Sequence, residues 1–270
     1  MMLLIDAGNT RVKFGWLDRA RQAREPAALA LQHAELPQLA SWLATLPAPP
    51  VGAIGVSVAS TAVSETIEQI VRETAQVPLR WVTSTAEAGG VVNLYDDPAR
   101  LGADRWLALI GLAARTPGAA ILASFGTATT VDTLGPITTT PAQGSAPGRR
   151  FEGGIILPGP ELMRRSLSNG TAGLPYAQGR STPMPRNTDD AISSGVAVAQ
   201  AGAVLSQWRN AIELMAEAPT LYCTGGGWSL VEDEVKRSLA RAQADLRLPA
   251  IAPEWLETPV LDGLAVLASR

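Results

Sequence analysis

Residues 2–13 read Met2-Leu3-Leu4-Ile5-Asp6-Ala7-Gly8-Asn9-Thr10-Arg11-Val12-Lys13. Met2–Asp6 is a short apolar run that meets an acid and then a Gly-Asn-Thr turn, the pattern of a buried strand. Val12–Leu17 alternates, so the two runs form a hairpin. The same device returns in the second half. Ala119–Ser124 is an apolar strand, Phe125-Gly126-Thr127-Ala128-Thr129-Thr130 is a small-residue turn rich in hydroxyls, and a β-rich run follows through Leu134. Leu4–Thr10 and Leu122–Ala128 are therefore related at the scale of a lobe. Two such lobes facing each other would bring both turns to one cleft.

Outward from these turns, strands alternate with helices. Leu36–Leu46 has helical spacing and stops at Pro47, and Val51–Val58 reads as a strand. Ser60 or Thr61 opens a helix through Ala75, with Glu65 placed for a capping box. Leu79–Val82 is a strand and Ala103–Arg115 a buried helix. Later come a short helix at Glu161–Leu167 and a long one at Asp189–Glu217. Small residues Ala191, Gly195, Ala199 and Gly202 along the long helix suit close helix approach, within the chain or across a dimer. Thr220–Cys223 is a strand, Gly225–Gly227 a turn, and Ser229–Ala242 and Leu261–Ala268 helices. Gly135–Gly148 and Pro175–Pro185 read as loops. The tryptophans are assigned to the core.

Composition narrows the function. The 270 residues are 46% hydrophobic and 17% charged, which builds an ordered core in one large domain or two lobes. A net charge of −3 gives no basic excess for a nucleic acid backbone. One cysteine, Cys223, and one histidine, His33, exclude a disulfide framework, an all-cysteine zinc site and a His-rich metal centre in one chain. His33 lies away from every motif and is given a surface or packing role. The longest apolar stretches, Trp106–Ala114 and Val196–Leu205, are shorter than the roughly 20 residues of a membrane span. With no secretion-like start, a soluble cytoplasmic protein is expected. Lys13 and Lys236 are the only lysines, and neither sits in GxxxxGK[ST], so a P-loop is excluded.

Five segments can carry chemistry. Asp6-Ala7-Gly8-Asn9-Thr10 can hold hydrated Mg²⁺ on the acid and phosphate oxygens on the turn, or can be a plain hairpin turn. Gly126-Thr127-Ala128-Thr129-Thr130 can cradle anionic oxygen without a lysine, or use threonine only for its strand preference. Gly225-Gly226-Gly227 leaves bare backbone on which a flat ring such as adenine could lie, or is a turn needing positive φ. It does not satisfy GxGxxG, so a dinucleotide site has no support. In Leu101-Gly102-Ala103-Asp104-Arg105-Trp106, Asp104 either caps a helix or serves as the base of a phosphoryl transfer. Arg105 would then fork onto a substrate carboxylate, and Tyr95 would line the same pocket. Phe151-Glu152-Gly153-Gly154-Ile155-Ile156-Leu157-Pro158-Gly159 is a ligand wall or a β-bulge and turn.

Taken in order, Asp6-Ala7-Gly8-Asn9-Thr10, Gly102-Ala103-Asp104-Arg105, Gly126-Thr127-Ala128-Thr129-Thr130, Gly153-Gly154-Ile155-Ile156-Leu157-Pro158-Gly159 and Thr224-Gly225-Gly226-Gly227 closely resemble the type III pantothenate kinases, also labelled Bvg accessory factor-like. The resemblance covers nearly the whole chain. It implies an α/β, two-lobed actin-like ATPase fold (acetate and sugar kinase/Hsp70/actin, RNase H-like) with duplicated βββαβα units, divided as 1–117 and 118–270. It implies ATP-dependent phosphorylation of pantothenate to 4′-phosphopantothenate, the first step toward coenzyme A, by a homodimer. The alternative is a kinase-like regulatory or ligand-binding accessory factor with weak turnover; a generic sugar kinase of the same fold is a third reading.

Site roles follow from that resemblance. Asp6, Ala7, Gly8, Asn9, Thr10, Arg11, Val12 and Lys13 look like the first phosphate loop, with Asp6 near Mg²⁺. Thr127, Gly225 and Gly226 look like further ATP contacts. Asp104 looks like the proton acceptor, and Tyr95, Gly102, Ala103, Asp104 and Arg105 like pantothenate contacts. Thr188 is similar to a threonine that reaches pantothenate in the partner's site. The family binds a monovalent cation, K⁺ or NH₄⁺, and commonly has an aspartate two residues before the second Gly-Thr. Ser124 stands there in this chain, so the K⁺ requirement is expected to be weak, absent or met by another acid such as Asp132.

Overall fold

The computed structural model describes residues 1–137 and 148–269. They form two compact units, one of Met1–Thr116 with the segment from Thr258 onward, the other from the chain between Pro117 and Glu257. The expected Gly135–Gly148 loop lies mostly outside the described residues. A single cut at 117/118 therefore misplaces the C-terminal helix, Pro259–Ala268, which packs in the first unit. Its Gly263 lies so close to the Leu107 backbone that a methyl group there would overlap the Leu107 carbonyl oxygen. That close packing, invisible in local sequence, carries the helix back across the chain order.

In the first unit, β1 (Met2–Ala7), β2 (Arg11–Asp18), β3 (Ala23–Arg24) and β4 (Leu29–Gln32) precede α1 (Gln38–Leu43). Then come β5 (Gly52–Ser57), α2 (Thr61–Ile70), β6 (Leu79–Trp81), the hairpin β7 (Glu87–Ala88) and β8 (Val91–Asn93), and α3 (Ala103–Arg115). The sheet runs β3-β2-β1-β5-β6, with β4 also on β2. β1 is antiparallel to β2 and parallel to β5. Leu3, Ile5, Phe14, Leu39 and Ile67 are fully buried in its core. α1 is shorter than the leucine spacing predicts. The capping box expected of Thr61 and Glu65 does not form: Ser60 is the N-cap and makes no side-chain hydrogen bond to the helix. The end of the predicted helix is a wider π turn, Val71–Ala75, closed by Gln76 with a left-handed backbone.

In the second unit, β9 (Ala120–Phe125), β10 (Ala128–Leu134) and β11 (Arg149–Pro158) precede α4 (Pro160–Gly170) and α5 (Thr188–Met215). β12 (Thr220–Thr224), α6 (Glu232–Asp245) and β13 (Glu254–Trp255) complete it. Its strands run β13-β12-β9-β10-β11. Here β9 is antiparallel to β10 and parallel to β12, as β1 is to β2 and β5. Each unit thus repeats one βββαβα plan, and the internal similarity in the sequence is a real duplication of fold. Ala197, Ala201, Val204 and Trp208 of α5 pack on Ile121, Val131, Leu221 and Cys223. Cys223 is the buried apolar residue the sequence predicts, and burial pushes its thiol up in pKa. The Gly-rich stretch of β11 contains the bulge: its register on β10 shifts beside Thr133 and Leu134, and Gly153 has φ of 120°. Trp106 and Trp208 are core, but Trp255 is 48% exposed, so the assignment of every tryptophan to the core is corrected.

Candidate active site

Within the first unit, the β1–β2 turn is closed by the Gly8 N–H donating to the Arg11 carbonyl at 3.1 Å, and Asn9 and Thr10 stand exposed at its tip. Pairing of β1 with β2 sets Asp6 opposite Lys13. Burial pushes the Asp6 carboxyl up to about 6; Lys13 opposes the shift, and the charge of Asp104 adds to it. The two acids are thus electrostatic neighbours although 98 positions separate them in the chain (104 − 6).

Asp104 sits in the first turn of α3, after Gly102 at the N-cap. There the helix dipole favours a negative charge, and Asp104 Oδ1 accepts the Arg105 N–H at 2.8 Å. Arg105 is nearly buried. Its Nη1 donates to the Tyr95 hydroxyl at 3.0 Å, and its guanidinium carbon lies 5.7 Å from the centre of the Tyr95 ring. Tyr95 in turn is set by its N–H donating to Asn93 Oδ1 at 3.1 Å. Buried Asn93 also donates to the Thr85 and Pro98 carbonyls, and Ser84 Oγ donates to the Leu101 carbonyl at 2.8 Å. Asn93 and Ser84 hold the loop that presents Gly102, Ala103 and Asp104. Neither was singled out by sequence, because each acts through backbone atoms of segments distant in the chain.

His33 has the packing role expected of it, but against the first turn rather than away from every motif. Its Nε2 lies 3.0 Å from the Gly8 carbonyl oxygen. Register on β2 sets Leu31 opposite Val12, which brings the residues after β4 beside the first turn. No spacing motif signals this contact.

Within the second unit, three segments meet. The Gly126 N–H donates to the Ala128 carbonyl at 3.1 Å, closing an exposed turn that carries Thr127. The Gly159 N–H donates to the Thr127 carbonyl at 2.9 Å, and the Gly227 N–H to the Phe125 carbonyl at 2.8 Å. A Cβ at Gly159 would collide with the Gly126 and Thr127 carbonyl oxygens, so only glycine fits. Gly225, at φ of 98°, needs the left-handed freedom of glycine and lies on the Phe125 backbone. Gln200 Nε2 donates to the Pro158 carbonyl at 2.8 Å and secures the brace from α5. The motif around Pro158-Gly159 is thus less a wall than a prop for the hydroxyl turn.

Thr188 stands apart from both clusters as the first residue of α5. Asn187 caps that helix by accepting the Asp190 N–H at 2.9 Å. Thr188 lines a groove of about 760 Å³ between α4 and α5, with Met163, Leu167, Ile192 and Val196 on its walls. Ala191, Gly195, Ala199 and Gly202 are exposed on α5, so the small-residue stripe does not serve packing within the chain. Ser124 is half-buried on β9 opposite Thr130, and Asp132 is buried on β10. Among the described residues, no group of three or more His, Cys, Asp or Glu side chains is placed to hold a metal, and no helix is long and apolar enough to cross a membrane.

A family model described as type III pantothenate kinase matches residues 2–210. A protein of Bordetella petrii named type III pantothenate kinase is 46% identical over all of this chain and 98% of its own length. One of Bordetella pertussis with the same name is 44% identical over the same shares. Among solved structures, an archaeal actin homolog aligns with a TM-score of 0.50 at 12% identity, covering 100% of this chain and 99% of its own. At that identity the likeness speaks for the fold alone, an actin-like ATPase fold.

Proposed function

Because the chain belongs to the type III pantothenate kinase family, we propose that it transfers the γ-phosphoryl group of ATP to the primary hydroxyl of pantothenate, in the cytoplasm, at the start of coenzyme A synthesis. The observation that carries the roles is the Asp6–Asp104 pair in the first unit, with the Arg105–Tyr95 pair beside Asp104 in sequence. Asp104 accepts the hydroxyl proton of pantothenate. The freed oxygen forms its bond to the γ-phosphorus as the bond to the β–γ bridging oxygen breaks, and ADP leaves. Arg105 and Tyr95 with Gly102 and Ala103 bind the acid substrate. Asp6 to Lys13 and the Thr127 turn are the segments that hold phosphates, and Gly225 and Gly226 those that lie under the base.

Mg²⁺ fits the donor set. It keeps several waters and needs only one or two carboxylates beside the phosphates. Asp6 is desolvated and feels the negative charge of Asp104, a position that a cation relieves. Asp6 would hold it, through water, and the ion supplies neutralisation of the phosphate charge. A monovalent ion has a poorer seat, since Ser124 is neutral.

The groove between α4 and α5, with its bare small-residue face and Thr188 at its edge, supports a homodimer in which a second copy covers it. The test of the function is coupled ADP release with and without pantothenate. Asp104→Asn keeps ATP binding and loses turnover by roughly two to four orders of magnitude. Turnover at the parent rate in that variant removes Asp104 as the base. ADP release that ignores pantothenate, with hexoses accepted instead, replaces the substrate assignment with a sugar kinase. Ligand binding with no turnover in the parent favours the accessory-factor reading.

A further inference from the structure

Three parallel strands of the second unit end side by side. Register sets Ser124 of β9 beside Thr224 of β12, and Cys223 of β12 beside Trp255 of β13. Each strand delivers one aromatic ring at or just past that edge: Phe125, Trp228 and Trp255. The rings form a row. Phe125 and Trp228 are 5.5 Å apart between centroids and tilted by 34°; Trp228 and Trp255 are 6.4 Å apart and stacked at 25°. Along the row the rings go from fully buried Phe125, through half-buried Trp228, to Trp255 at 48% exposure. A ring kept only for packing is driven under cover, because an indole buries a large apolar area. This row instead ends with an indole half in water.

Its surroundings specify what it can receive. Phe125 is the residue immediately before the Gly126-Thr127 turn, so the base of the row and the phosphate-type turn share one strand end. Trp228 immediately follows Gly225-Gly226-Gly227. A Cβ at Gly226 would meet nothing within 4 Å, so the turn before Trp228 opens on free space. Ligands of open α/β sheets bind beyond the carboxyl ends of parallel strands, and this is such an edge. A flat heterocycle joined to phosphates is the chemistry that suits a bare turn, a hydroxyl turn and an indole ledge on one edge.

We propose that Trp255, backed by Trp228, is the ledge on which the nucleobase of the phosphoryl donor stacks, and that it makes the chain prefer purine over pyrimidine nucleotides. The inference rests on the nucleotide-dependent reading given above and adds the residues that choose the base. Trp255 sets donor affinity and takes no part in the phosphoryl step. Trp228 holds it at the stacking angle, and Phe125 anchors Trp228 to the core.

The experiment is calorimetric titration of the full chain with ADP and with CDP, alongside steady-state kinetics for ATP and pantothenate. Trp255→Ala is expected to weaken ADP binding by roughly 5- to 150-fold, the range of base–aromatic stacking. It is expected to narrow the ADP-over-CDP preference and to leave the KM for pantothenate and the melting temperature near parental values. Trp255→Phe, which keeps a stacking face, recovers most of the affinity. Equal ADP affinity in parent and Trp255→Ala, with pantothenate phosphorylation intact, overturns the ledge and spares the proposed function. Loss of ADP affinity in Trp255→Ala that Trp255→Phe does not recover also overturns it, since a stacking role predicts rescue. A parent chain that neither binds ADP nor phosphorylates pantothenate defeats the proposed function, and the ledge with it.

Discussion

The ring of His33 reaches the main chain of Gly8: Nε2 stands 3.0 Å from the Gly8 carbonyl oxygen. A carbonyl accepts, so Nε2 carries the hydrogen. The bond joins the 3-10 turn after β4 to the residue that closes the β1–β2 turn. Asn9 and Thr10 follow Gly8 at the exposed tip of that turn, so the position of Gly8 steers their backbone.

His33 is therefore expected to act as a positioning residue. Removing one neutral hydrogen bond costs about 0.5–1.5 kcal/mol. His33→Ala should raise the KM for ATP by roughly two- to tenfold, with kcat changed less and the KM for pantothenate unmoved. His33→Gln, whose amide can donate to the same carbonyl, should restore most of the loss. A variant in which both KM values rise together, with a lower melting temperature, would point to general loosening of the unit instead.

Asp6 should make the protein less stable as the pH rises. Its folded pKa of about 6 lies above the ordinary value of 3.8, so the folded state binds the proton more tightly than the unfolded state. Between pH about 4 and about 6 the unfolded chain releases a proton that the folded chain keeps. Stability from this group is thus greatest below that window and is lost as pH rises through it. Asp6→Asn removes the cost of a desolvated charge. It should raise stability at pH 7 by about 1–3 kcal/mol, flatten that part of the pH profile and abolish turnover. Urea unfolding at pH 4, 5, 6 and 7 measures it; identical profiles for the two proteins would refute the burial argument.

Ser124 should leave the enzyme nearly indifferent to potassium. A hydroxyl carries no net charge to set against a monocation, and Thr130 opposite it adds none. Titrating KCl against turnover at constant ionic strength is expected to give a shallow response. Ser124→Asp should create a saturable activation where the parent has little. Steep activation of the parent would show that another acid, such as Asp132, does the work.

Much of this architecture could be read before any coordinates. The β1–β2 and β9–β10 hairpins are short-range objects: apolar alternation and a glycine turn specify each within about a dozen residues. Asp104 could be singled out because a helix start is a local signal too. The contacts that tune these groups are of another kind. His33 meets Gly8 only because β4 adds to β2. Asn93 and Ser84 work through carbonyls of the loop before α3. Trp255 lies on a two-residue strand, too short to show a period, and its exposure depends on where β12 ends. Gly159 could be seen as a turn residue, but its role as a prop needs Gly126 and Thr127 pressed against it. Pairwise register, rather than composition, decides all of these.

The return of the C-terminal helix to the first unit bears on how the chain is made. During synthesis the β1–β6 sheet emerges early, yet the helix that packs against α3 leaves the ribosome only after the whole second unit. Until then α3 presents an uncovered apolar face around Leu107 and Gly111, a hazard for aggregation. The second unit, by contrast, lies between the two main parts of the first in the chain and can be completed before it. The unit that bears both acids is thus begun before the second unit and completed after it.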